Sequence, residues 1–272
     1  MNKRNLVWVY IACGVLSLFF LFPIFWIVLS SFKDGSELFR YPPTLFPESP
    51  TIGNYILALQ KGNFTLFFKN STAVAVLSTI VTVIINTMAG YAFAKYTFKG
   101  RDIIFIFFIS TLMLPLEVLM IPIFQVVKYL GMYNSFVGII IPPAATPAGV
   151  FLLRQYFLSV PDDLIEAARI DGASETGIFI RLMIPIAKPA MSVLAIFSFM
   201  WRWNDFMWPL LVIRDTEKYT LQLALSNFNG QYSVDWNSLI AMSVVTMIPV
   251  LIVFLIFQRQ FIQGMMTSGM KE

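Results

Sequence analysis

Three ionisable residues, Glu117, Arg202 and Asp205, stand inside long apolar stretches, where a charge costs roughly 2.5–3.5 kcal/mol to insert and so needs a reason. Arg202 and Asp205 are three residues apart and can pair on one helix. Around them runs Trp201-Arg202-Trp203-Asn204-Asp205-Phe206-Met207-Trp208-Pro209, and at helical spacing Trp201, Asn204, Asp205 and Trp208 share a face. Aromatic planes beside Asn, Asp and Arg suit molecules with apolar ring faces and hydroxyl edges, as sugars have. Two readings stay open for this segment: the lining of a solute path, or an outer-leaflet aromatic belt with a structural ion pair. Glu117 lies between Pro115 and Pro122, and prolines remove backbone bonds and bend helices. It either faces a cavity beside a bend or is packed inside a bundle.

A second constellation is polar and lies between two apolar stretches, about 154–188. Pro161 suits a first helical position, and Asp162 and Asp163 follow where negative charge complements the helix dipole. Leu164, Ala167, Ala168 and Asp171 fall at helical spacing, and the two alanines leave a shallow face. Gly172 sits where a left-handed residue closes a helix. Ser174 can cap the next helix, and Pro185 is expected to end it. The pattern predicts a short helical hairpin at a membrane surface, or in the plainer reading an ordinary interfacial amphipathic helix.

The inventory excludes much else. The chain has no histidine and one cysteine, Cys13, so zinc sites, disulfides within the chain and His-dependent nucleophiles are ruled out. No G-x-x-x-x-G-K-[ST] run cradles phosphate, and no metal or cofactor is expected in this chain. Of 272 residues, 58% are hydrophobic and 12% charged, against about 25% charged in soluble domains. The partner is a lipid bilayer, and the +4 net charge speaks to topology rather than to nucleic acid.

The elements that must position these residues are membrane spans, each needing about 20 apolar residues. Six segments qualify: 6–31, 71–96, 103–127, 136–157, 189–213 and 239–257. The apolar run continues well past Cys13, which favours an uncleaved first span over a cleaved leader. With the N-terminus inside, the cytoplasmic loops and ends hold Lys3, Arg4, Lys95, Lys99, Arg101, Arg154, Arg169, Arg181, Lys188, Arg259 and Lys271. Seven other basic residues fall outside and Arg202 within a span. That excess predicts both termini inside. Thr51–Gln60 in the long outer loop reads as a short helix. No polar stretch is long enough to fold alone, so 1–272 reads as a single all-α integral membrane domain.

The loop resembles the EAA motif of ATP-binding-cassette (ABC) importer permeases: E-A-A, three residues, G, nine residues, I-x-L-P. The match is Glu166, Ala167, Ala168, Gly172, Leu182, Ile184 and Pro185, with Leu182 for Ile and Ile184 for Leu. From about Val15 onward the chain resembles the second permease subunit of maltose-type carbohydrate importers. The resemblance implies a type I importer bundle and a coupling loop (about 154–188) that docks on a separate ATPase. There Glu166 would make the polar contact, Ala167 and Ala168 would permit close approach, Asp171 would lie beside them, and Gly172 would make the turn. It implies that the tail, about 258–272 with Gln263, Gly264, Thr267 and Gly269, reaches toward the ATPase. It further implies a heterodimer with a homologous permease, two ATPase copies carrying ATP and Mg, and an extracytoplasmic binding protein. The setting would be a bacterial or archaeal plasma membrane.

The reading that follows is a permease subunit that hydrolyses nothing itself and forms half of a path for a carbohydrate. Glycerol 3-phosphate and acidic saccharides are the alternative solutes. A secondary transporter predicts an ion-binding constellation or an internal repeat and leaves the hairpin unexplained. A membrane-embedded enzyme ranks lowest, for want of histidine or paired carboxylates at one depth.

Overall fold

The computed structural model describes residues 3–226 and 234–269, with side chains over 7–226 and 234–258. The chain is helical throughout its long elements and divides into two compact units, 1–65 with 224–249, and 66–223 with 250–272.

The first unit holds α1 (Lys3–Ser30), α2 (Gly35–Leu38) and α3 (Gly53–Lys61), the last close to the helix predicted at 51–60. Buried polar groups organise the stretch between them. Asn54 donates to the carbonyls of Ser31 and Lys33, both at 2.8 Å. Glu37, buried, accepts from the Thr44 hydroxyl at 2.6 Å and from the Glu48 amide. The Lys33 ammonium lies 4.7 Å from the Trp26 ring centre and donates to the Thr44 carbonyl. Such bonds answer backbone groups that a loop without helix or sheet leaves unpaired.

The second unit takes most of α4 (Phe64–Lys95), then α5 (Arg101–Ser110), α6 (Leu116–Tyr129), α7 (Phe136–Ile140), α8 (Pro147–Leu158) and α9 (Asp163–Ile170). After a one-turn α10 (Glu175–Gly177) come a π-helical segment (Ile178–Met183), α11 (Ile184–Asn204), α12 (Met207–Val212) and α13 (Leu221–Leu225), the last straddling the unit boundary. The final helix, α14, runs Trp236–Gly269.

Among the described residues, four helices are long and apolar enough to cross a bilayer: Val7–Ser30, Phe64–Lys95, Glu175–Asn204 and Trp236–Gln258. They correspond to the predicted first, second, fifth and sixth spans. The other two are not single helices. The predicted third bends by 114° between Arg101–Met113 and Leu116–Tyr129, where Pro115 keeps Leu114 extended. The predicted fourth opens at residues 141–146 between α7 and α8, across Pro142 and Pro143. Each half is too short to span alone.

Among the described residues, two apolar clusters pack in this unit. One gathers Tyr91, Leu153, Phe157, Ile165, Ile178, Met183, Ala187 and Leu194, so α4, α8, α9, the π segment and α11 meet there. The other gathers Val74, Val127, Ile139, Trp208, Val212 and Leu223. At Gly90 a methyl group would sit 2.8 Å from Leu153 Cβ and 3.0 Å from the Arg154 amide nitrogen. This small residue is what lets α4 lie against α8. Gly90→Val is therefore expected to destabilise the protein by about 1–3 kcal/mol, the usual cost of overpacking, read as a lowered melting midpoint in detergent.

Candidate functional site

The hairpin forms two residues later than its sequence suggests. α9 begins at Asp163, with Asp162 as the flanking residue and no side-chain cap. The Asp162 carboxylate is instead engaged by Lys95 Nζ at 2.5 Å. Gly172 has φ +82°, the left-handed conformation that glycine adopts without a Cβ penalty. The Ala173 amide returns to the Ala168 carbonyl at 3.0 Å, closing the helix. Ser174 Oγ then accepts from the Gly177 amide at 3.2 Å and starts the second limb. Arg169 donates to Glu175 at 2.7 Å across the turn.

Pro185 does not end the second limb. Glu175–Asn204 is one continuous helical run, with Pro185 near the start of α11. Proline lacks an N–H and crowds the carbonyl four residues back. The preceding residues, Ile178–Met183, adopt the wider π geometry, which takes up that misfit without a break.

The motif residues divide by face. Glu166, Ala167, Asp171 and Gly172 are exposed, as is Pro185 further along. Ala168 packs toward the core below, and Ile165 is buried within it. Ile170 is 86% exposed, and Leu164 is exposed at the start of the same helix. Ile170, on the open face, was not singled out from sequence. The available signal was an isoleucine in the last turn of a polar helix, off the face set by Ile165.

The tryptophan segment is not one helix. α11 stops at Asn204, Asp205 is extended (ψ 120°), and α12 starts at Met207. Pro209 would crowd the Asp205 carbonyl in a continuous helix, so the chain breaks there. The predicted shared face of Trp201, Asn204, Asp205 and Trp208 is therefore not formed. Trp208 is buried and donates through Nε1 to the Gly138 carbonyl at 3.1 Å. Asn204 turns back to the Met200 carbonyl at 2.8 Å. Arg202 and Asp205 do pair, at 3.2 Å, and both are largely buried. The second Asp205 oxygen accepts from the Trp208 amide and starts α12.

Trp201 and Arg202 instead line a cavity of about 260 Å³ with Thr82, Thr146, Gly149 and Ser198. The opened segment 141–146 borders it. Arg202 Nη2 donates to the Pro143 carbonyl at 3.3 Å. Asn86, fully buried on α4, donates to the Ala144 carbonyl at 2.8 Å and accepts from the Thr146 amide at 3.0 Å. Irregular backbone at membrane depth is tolerated where it is packed in protein or lines a cavity. Glu117 is exposed in the first turn of α6 and does not line this cavity. Among the tail residues, Gln263, Gly264, Thr267 and Gly269 lie in the helical backbone of α14. Their side chains, and all of Met270, Lys271 and Glu272, lie outside the described residues.

Residues 86–267 match the family described as the binding-protein-dependent transport system inner membrane component. The chain belongs to that family. It is similar to the arabinooligosaccharides transport system permease protein AraQ of Bacillus subtilis, at 40% identity over 94% of this chain and 92% of that one. It is also similar to the sn-glycerol-3-phosphate transport system permease protein UgpE of Pectobacterium atrosepticum, at 34% identity over 98% of each. A chain in the crystal structure of a bacterial ABC transporter importing the acidic polysaccharide alginate superposes with a TM-score of 0.84. Its identity is 26%, over 95% of this chain and 96% of that one. The protein is thus an all-helical membrane permease of the ABC importer class.

Proposed function

We propose that this permease, acting over 1–272 as one transmembrane unit, forms half of the translocation path for an oligosaccharide. Its six crossings would leave both termini in the cytoplasm of a bacterial or archaeal cell. A homologous permease would complete the path, an extracytoplasmic binding protein would deliver solute, and two ATPase copies would supply ATP and Mg chemistry. The observation that carries the reading is the hairpin. It presents Glu166, Ala167, Asp171 and the apolar Ile170 on one open face, next to a helix that runs unbroken from Glu175 to Asn204. An apolar side chain displayed outside the membrane, on a folded hairpin, fits a docking contact.

ATP drives transport only if the ATPase grips this face differently in the two states of the transporter. Closure of the ATPase would then push the hairpin, and the continuous helix would carry the push toward the cavity beside Arg202 and Trp201. Sugars as solutes are supported by the relatives that import arabino-oligosaccharides and alginate. The glycerol 3-phosphate relative leaves an anionic solute as the second reading, with Arg202 as its natural contact. The tail residues Gln263, Gly264, Thr267 and Gly269 would reach the ATPase as an extension of α14.

The test is reconstitution with the neighbouring permease, ATPase and binding protein, and uptake of labelled arabino-oligosaccharides against glycerol 3-phosphate. Glu166→Ala is expected to lower solute-stimulated hydrolysis and uptake together by about tenfold, the loss of one charge-assisted contact. Unaltered uptake in this variant and in the hairpin variants below would refute the coupling role.

A further inference from the structure

The last turn of α4 holds both limbs of the hairpin. Lys95 Nζ donates to the Val160 carbonyl at 2.6 Å and to Asp162 Oδ1 at 2.5 Å, just ahead of α9. The lysine side chain is 5% exposed although it ends a helix, while Asp162 is 75% exposed. The neighbouring Tyr96 hydroxyl meets Glu175 at 3.2 Å, at the start of the second limb. Glu175 is in turn held by Arg169 of α9. One turn back, the Tyr91 ring lies 5.4 Å from that of Phe157 and 5.0 Å from that of Phe179. A single helix end thus touches the chain before α9, the turn after it and the π segment.

We infer that Lys95 is a positioning residue for coupling. It clamps the hairpin to α4, so that a push on the Glu166 and Ile170 face moves α4 along with α11. α4 is well placed to receive that movement, because Thr82 on the same helix lines the cavity and Asn86 holds the opened segment 141–146. The clamp is directional. Its carbonyl partner is backbone and cannot rotate away, and the lysine stem is packed, so little freedom remains between hairpin and helix. The exposed carboxylate of Asp162 adds a screened contact, and the bond to Val160 is the firmer half. This inference rests on the coupling reading above. It adds that α4, and not only the helix continuous with the hairpin, is driven.

The experiment measures solute moved per ATP hydrolysed by the reconstituted complex, for Lys95→Met, Lys95→Arg and Asp162→Asn. Lys95→Met should lower that ratio by about tenfold, within the range single residues exert on coupling between sites. Copurification of the ATPase and hydrolysis without solute should be retained. Lys95→Arg, which keeps a donor to Val160, should restore most of the ratio, and Asp162→Asn should lose less than Lys95→Met. A lysine that merely stabilised the fold would lower assembly and hydrolysis in step and leave the ratio alone, which would overturn the inference. If Lys95→Met does not assemble, Lys95→Gln, which shortens the side chain and removes its charge, reads the same ratio. An unchanged ratio there also overturns it. Normal coupling in Lys95→Met together with loss in Ile170→Asp would sink the clamp alone. Normal coupling in both would sink the coupling reading itself.

Discussion

Ile170→Asp is expected to cut ATP-driven uptake by about thirtyfold or more, the effect of losing roughly 2 kcal/mol at the centre of an interface. Ile170 is 86% exposed in the isolated chain, so the substitution removes no internal packing and should leave the melting midpoint of the permease unchanged. In a docked state the same side chain would be buried against the ATPase, and a carboxylate there would be desolvated without a partner. The hairpin's own contacts, Arg169 to Glu175 and Lys95 to Val160, are elsewhere. Uptake into proteoliposomes and copurification of the ATPase check the expectation. Full uptake with a normal complex would remove Ile170 from the docking face. Leu164, also exposed on the first limb, should show a smaller effect of the same sign.

The second large effect is expected at Asn86. This fully buried side chain serves the Ala144 carbonyl and the Thr146 amide, and it also accepts from the Thr146 hydroxyl. Polar contacts between membrane helices are usually worth well under 1 kcal/mol, because the separated helices find other partners. The groups here are different. They belong to backbone opened out of helix between α7 and α8, with no helical neighbour to pair with. Asn86→Leu strands two such groups, each costing about 1–3 kcal/mol. A fall in melting midpoint on the order of 10 °C follows, measured by thermal scanning in detergent. Gly149 should be sensitive for a related reason. A methyl group there would lie 2.5 Å from Thr146 Oγ1 and 2.9 Å from Asn86 Oδ1. A midpoint within a degree or two of the parent in Asn86→Leu would show that the opened segment is held by other contacts.

The two sites respond to opposite physics. Ile170 matters through what is absent from the isolated chain, a partner that dries its surface. Asn86 matters through what is already satisfied inside it. Stability and transport should therefore separate cleanly between the two variants, and measuring both on each variant is what makes either result interpretable.

The membrane character, four helices long enough to cross a bilayer and the hairpin's turn were determined by sequence alone. Each follows from a local rule: apolar length against bilayer thickness, glycine at a left-handed position, serine ahead of a helix start. The ion pair of Arg202 with Asp205 was likewise legible, since three residues bring them together whether or not the helix continues. The tertiary structure decided the rest. Pro209 breaks the chain after Asn204 and sends Trp208 into the core, so the aromatic face expected from helical spacing never forms. Pro185 is absorbed by a π turn and leaves a continuous helix, a choice between two ways of removing one clash that the residue type does not make. Lys95, whose charge counted only toward topology, became a buried donor because Val160 and Asp162 come to it from 65 and 67 residues away. Local sequence sets which backbone groups will need partners. Only the folded bundle fixes which side chain, from which distant helix, answers them.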